Sequence, residues 1–176
     1  MTEPQLDILY TEDQIQARIK DLSLQIRRDY GDEPMVLIGV LKGSLMFLAD
    51  LSRHLGHQVR IDFMQLSSYE GGTSSTGVVQ IRKDLDQTIE GERVLIVEDI
   101  VDTGLTLAHL RELLMTRHPS MLRAVSLLRK PEAAKVEATC EYVGFEIPNQ
   151  FVVGYGLDYR ERFRNLPYIG ILLNPD

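Results

Sequence analysis

The sequence predicts an α/β protein in a single domain, residues 1–176, with a central, mainly parallel sheet flanked by helices. Three observations carry this. Short apolar runs alternate with stretches of helical periodicity from one end to the other. The runs at 35–41 and 94–97 are apolar on both faces, as parallel strands covered on both sides must be. No repeat, low-complexity tract or linker divides the 176 residues.

Each element has its own local reason. Residues 10–29 carry Ile15, Ile19, Leu22 and Ile26 at helical spacing, with Thr11 and Gln14 placed as a capping box. Residues 35–41 read as a buried strand, Lys42-Gly43-Ser44 as a turn, and 45–55 as a second helix. Residues 58–66 alternate as a strand, with Val59, Ile61 and Phe63 on one face. The Ser-, Thr- and Gly-rich stretch 67–77 is too long for a tight hairpin and too polar to pack, so by composition it reads as a solvated loop. Leu107, Leu110, Leu113 and Leu114 give a third helix over 105–117, and 124–128 the next strand. Residues 151–155 and 168–173 are expected to complete a sheet of about five parallel strands.

Composition narrows the function. With 44% apolar and 26% charged residues the chain is an ordinary globular protein. No segment approaches the ~20 apolar residues of a membrane helix, and the start lacks the basic and apolar regions of a signal peptide, so the expected location is the cytoplasm. The net charge of −7, with no basic run, argues against a nucleic-acid surface. The single cysteine, Cys140, excludes an intramolecular disulfide, and the four histidines show no ligand spacing.

The most informative segment is VLIVEDIVDTGLTL, residues 94–107. Its strand ends in Glu98 and Asp99, where open α/β sheets bind ligands. Asp102, Thr103, Gly104, Leu105 and Thr106 then turn into a helix whose first amides can converge on a phosphate. Three acids within five residues beside an anion site call for ribose hydroxyls or a hydrated Mg²⁺.

This segment resembles the phosphoribosyl-pyrophosphate motif of the type I phosphoribosyltransferases, and within them the hypoxanthine-guanine branch. The resemblance spans roughly residues 10–173. It implies the type I phosphoribosyltransferase fold, with a small hood formed mainly by 141–164 plus the N-terminal segment. It also turns the 67–77 loop into a mobile lid that begins at Ser68-Tyr69 and excludes water. The implied activity is transfer of the 5-phosphoribosyl group from phosphoribosyl pyrophosphate to hypoxanthine or guanine, giving IMP or GMP and pyrophosphate, with Mg²⁺ as cofactor. The implied assembly is a homodimer or homotetramer, with no nucleic acid or membrane partner. A sensor of phosphoribosyl pyrophosphate built on the same fold is the alternative.

Carried over residue by residue, the resemblance makes Asp102 the general base and places the 5'-phosphate on Asp102 to Thr106. Glu98 and Asp99 meet the ribose hydroxyls, directly or through Mg²⁺. Lys42 and Gly43, with a non-proline cis peptide at Leu41–Lys42, and Arg164 in DYRERFRNLP hold pyrophosphate, while Arg160 and Arg162 are solvated. Lys130 donates to a 6-oxo group, Phe151 stacks on the purine, the Val152 backbone meets its edge, and Asp158 holds a second Mg²⁺. Leu105 and Gln150 stand where some relatives carry a basic residue.

Overall fold

The computed structural model describes residues 5–56, 58–68 and 79–173, with only the backbone of Ser68 and Val79. β1 (Leu6–Tyr10) leads into α1 (Glu12–Tyr30), which starts at a complete capping box. The Gln14 amide donates to the Thr11 hydroxyl, and the Thr11 amide donates to the Gln14 side chain. Ile15, Ile19, Leu22 and Ile26 form its buried stripe, each worth ~1.5–3 kcal/mol of burial. Glu12 and Asp13 at its start and Arg27 and Arg28 at its end match the helix dipole.

The chain continues through β2 (Met35–Val40), α2 (Leu45–His54), β3 (Val59–Ser68), β4 (Val79–Lys83), β5 (Arg93–Val101), α3 (Leu105–Met115), β6 (Met121–Arg129), β7 (Tyr142–Glu146), β8 (Val152–Val153) and β9 (Ile169–Leu172). Five parallel strands in the order β3-β2-β5-β6-β7 form the main sheet, and β4 adds an antiparallel edge beside β3. Leu37, Leu95 and Val97 point to the α1/α2 side with Phe47 and Leu51, while Val36, Ile38, Val94 and Ile96 point to the α3 side with Leu107 and Leu110. That two-sided cover is why β2 is buried at all six positions.

Two expectations need correcting. Residues 151–155 and 168–173 do not complete the main sheet: β8 and β9 pair with β1 in a separate antiparallel sheet of order β1-β9-β8. β8 has two residues, and Gly154, Tyr155 and Gly156 then take φ of 97°, 48° and 100°, so the chain reverses with no room for a crossover. Of the hood range 141–164, Tyr142–Glu146 instead lies in the main sheet as the outer neighbour of β6. Along β3 the buried residues are Asp62 and Met64, and Ile61 is exposed. Asp62 tolerates burial because its carboxylate accepts from the Phe63 and Asp86 amides.

The topology sets the site. Strand order reverses between β2 and β5, so the loops leaving their carboxyl ends open on either side of one crevice. The small sheet is fastened beside it: the Tyr155 hydroxyl donates to Asp50 Oδ2 of α2 at 2.5 Å, and Gln16 of α1 donates to the same oxygen at 2.8 Å.

Candidate active site

Glu98 and Asp99 emerge at the end of β5 into a cavity of about 240 Å³ that Asp102, Thr103, Gly104 and Thr106 also line, with Leu41 and Leu66 opposite. Glu98 is 5% exposed. Burial, reinforced by the charge of Asp99, pushes its carboxyl well above the usual range. Burial also pushes Asp99 up to about 6, against the pull of the Ile100 amide on its carboxylate and of the Arg164 charge. Among the described residues neither acid forms an ion pair.

The turn after β5 works as the motif requires. Gly104, at φ 82°, is the N-cap of α3, a conformation that costs glycine little, and no side chain caps this helix. The Thr103 carbonyl is taken by the Lys135 amide at 2.9 Å, which fixes the turn. The Leu105 amide has only a long contact to Thr103 Oγ1, 3.4 Å. The first amides of an 11-residue helix therefore face the cavity with the positive end of its dipole. Leu105, 47% exposed, can contribute its amide but no charge.

The other loop closes against this one. The Leu41–Lys42 peptide is cis. A Cβ on Gly43 would overlap the Asp99 carboxylate, and a Cβ on Gly156 would overlap the Gly43 carbonyl. Gly156, Gly43 and Asp99 therefore stack in direct contact and tie the hood to the sheet. Arg164 donates to the Gly156 carbonyl at 2.8 Å and pairs with Asp158 at 2.9 Å and Glu161 at 3.2 Å. Lys42 pairs with Glu161 at 2.7 Å.

At the far end Lys130, 7% exposed, lies with Nζ 3.4 Å from Asp102 Oδ2. The parallel register that sets Val101 beside Arg129 brings the two residues together. Phe151 is 47% exposed and meets Tyr159 edge to face, ring centres 5.8 Å apart. Its ring stands out from the core, while Val152 beside it is buried in β8.

The structure thus brings together Lys42, Gly43, Glu98, Asp99, Asp158 and Arg164 at one end and Asp102 and Lys130 at the other. Tyr69 and the rest of the expected lid beyond Ser68 lie outside the described residues; Ser67 and Ser68 end β3, paired with Gln80 and Val79. Arg160 and Arg162 are exposed, as anticipated, and Arg160 also lies 5.0 Å over the Tyr159 ring. Sequence reasoning missed Glu161, whose signal was only an acid set among arginines.

Among the described residues no three His, Cys, Asp or Glu side chains converge into a metal cage. The donor set still fits Mg²⁺, which takes one or two carboxylates and completes its shell with water and substrate oxygens. Buried Glu98 and half-buried Asp99, neither in an ion pair among the described residues, supply such a pair.

Residues 5–160 match the family described as phosphoribosyl transferase domain. Over 166 residues the chain is 52% identical to the hypoxanthine-guanine phosphoribosyltransferase of Staphylococcus aureus, covering 94% of this chain and 93% of that protein. A crystal structure of a hypoxanthine phosphoribosyltransferase from Staphylococcus aureus matches with a TM-score of 0.90 and 52% identity, over 94% of this chain and 90% of that one. That of a hypoxanthine-guanine phosphoribosyltransferase from Bacillus anthracis matches with a TM-score of 0.92 and 48% identity, over 97% and 100%. With that identity along almost its whole length, and with the motif folded as the family requires, the chain belongs to the phosphoribosyltransferase family and has the type I fold.

Proposed function

We propose that the chain transfers the 5-phosphoribosyl group from phosphoribosyl pyrophosphate to hypoxanthine or guanine in purine salvage. The observation that carries this reading is the placement of Asp102 and buried Lys130 3.4 Å apart, next to the uncapped start of α3. On one edge of a 6-oxopurine a carbonyl and a ring nitrogen lie side by side. A lysine donor and a carboxylate acceptor at this spacing address both, and the lysine rejects adenine, whose 6-amino group offers it no acceptor.

The reaction follows from the positions. The amides of Thr103 to Thr106 and the two threonine hydroxyls hold the 5'-phosphate. Glu98 and Asp99 accept hydrogen bonds from the ribose hydroxyls, and their charge stabilises the cationic sugar as its bond to pyrophosphate breaks. Lys42, the Gly43 backbone and Arg164 hold the departing pyrophosphate. Phe151 covers one face of the purine, and the backbone of Val152 meets its edge. As the new bond from the ring nitrogen to the anomeric carbon forms, Asp102 takes the ring proton. Glu98 and Asp99 would hold Mg²⁺, with Asp158 for a second ion, and the metal would supply neutralisation of the diphosphate's negative charge.

The small-molecule partners are thus phosphoribosyl pyrophosphate and a 6-oxopurine, and the proposed location is the cytoplasm. No helix among the described residues is long and apolar enough to cross a membrane. A homodimer or homotetramer is proposed as well, with Leu45, exposed beside the Lys42 loop, at the contact.

The test is the ultraviolet change on mixing protein, phosphoribosyl pyrophosphate and Mg²⁺ with hypoxanthine, guanine, xanthine, adenine or uracil in turn. Turnover of hypoxanthine or guanine, lost on chelation and absent with adenine, is the expected result. Silence with every base despite binding of phosphoribosyl pyrophosphate would favour the sensor.

A further inference from the structure

The hood loop spends backbone conformation on an arrangement that stability does not explain. Arg160, Glu161 and Phe163 have φ of 52°, 62° and 76°, a region that non-glycine side chains rarely adopt. Two bonds between the Tyr159 and Arg162 backbones close the turn, and the Glu161 amide donates to Asp158 Oδ2 at 2.9 Å. The outcome is a Glu161 carboxylate directed back over the site. Its Oε2 lies 2.7 Å from Lys42 Nζ, and its Oε1 lies 3.2 Å from Arg164 Nη2. Each oxygen takes one cation.

The Lys42 and Glu161 side chains are 53% and 65% exposed, and exposed ion pairs contribute little to stability. Strained backbone that serves a weak surface contact points to a functional constraint instead. Of the two cations that Glu161 joins, Lys42 comes from a loop 119 residues away and Arg164 from its own turn, and both were placed on the pyrophosphate above.

We propose that Glu161 is a positioning residue for the leaving group: its carboxylate holds the anion position between Lys42 and Arg164, competes with pyrophosphate for both cations, and so helps expel it after transfer. This rests on the reading of Lys42 and Arg164 as the pyrophosphate cations. A tethered competitor acts at high effective concentration and weakens every anion that needs both cations. The polyanionic pyrophosphate prevails when abundant and is displaced when its concentration falls.

The experiment compares Glu161→Gln and Glu161→Asp with the unaltered protein, titrating Mg²⁺-pyrophosphate by calorimetry and measuring kcat and KM with hypoxanthine. In Glu161→Gln the pyrophosphate Kd and the KM for phosphoribosyl pyrophosphate should fall together by roughly two- to tenfold, with the KM for hypoxanthine unchanged. Glu161→Asp, one methylene shorter with its charge kept, should lie between. A pyrophosphate Kd that stays the same or rises in Glu161→Gln, with turnover of hypoxanthine intact in the unaltered protein, overturns the proposal and leaves the function standing. Absence of turnover in the unaltered protein overturns the function, while the titration still reports on Glu161. Lys42→Met with undiminished pyrophosphate affinity overturns the assignment of Lys42 and the proposal with it.

Discussion

At the end of β5 the buried carboxylate of Glu98 and the half-buried one of Asp99 have no ion pair among the described residues, whereas in the facing hood Asp158 and Glu161 are each paired with a cation. One wall of the crevice carries its charge as an unrelieved burial cost, visible in the raised carboxyls of Glu98 and Asp99. The other has already neutralised itself. The first wall therefore gains from a cation or from sugar hydroxyls arriving, while the second must give up contacts to accept an anion. Binding energy is stored on the sheet side and spent on the hood side.

Four substitutions break or sharpen this contrast. The largest effect falls on the sheet wall at Asp102. Asp102→Asn, nearly isosteric, should lower kcat by ~10²–10⁴-fold while phosphoribosyl-pyrophosphate binding persists, measured by steady-state kinetics beside calorimetry. An unchanged kcat would remove Asp102 from the chemistry. Next is the contact between the walls: Gly43→Ala must displace the Asp99 carboxylate, and misplacement on that scale costs roughly 10²-fold in kcat/KM. Activity near that of the unaltered protein would mean that the two loops yield independently.

The smallest effect separates burial from pairing. An unfolded aspartate titrates near 3.8 and folded Asp99 near 6, so between these values the folded protein keeps a proton that the unfolded chain has lost. Stability of the ligand-free protein therefore falls as pH rises through that window, and the full penalty applies above about pH 6. Asp99→Asn should flatten this slope and raise Tm at pH 7.5 by ~2–6 °C, read by calorimetry without Mg²⁺. Glu161 has the opposite sign. Its carboxyl is lowered, so its contribution is present at neutral pH and is lost on acidification; Glu161→Gln should give no rise in Tm.

The sheet wall was legible in the sequence because its physics is local. Val94 to Val97 had to be a two-sided strand, Gly104 had to open a helix, and Thr11 with Gln14 had to cap one; all three appear where the residues place them. Even the meeting of Asp102 and Lys130 follows from one parallel register. The hood was far less legible. A two-residue strand gives no periodicity, and left-handed turns at Tyr155, Arg160, Glu161 and Phe163 use residues that do not announce them. Glu161 reads as a solvated acid until Lys42, from another part of the chain, is brought beside it. Burial along β3 was not legible either: Asp62 turns inward where two amides wait, while Ile61 on the other face is exposed.

The stack of Gly156 on Gly43 on Asp99 divides the site into parts that can and cannot vary. Through those three layers there is no spare atom, so a single added methyl is a collision at either glycine. At Phe151 and Leu105 the side chains stand in solvent, and a larger, smaller or charged group enters without moving a neighbour's backbone. Drift in this protein, natural or engineered, should accumulate at that open rim and leave the three stacked layers as they are.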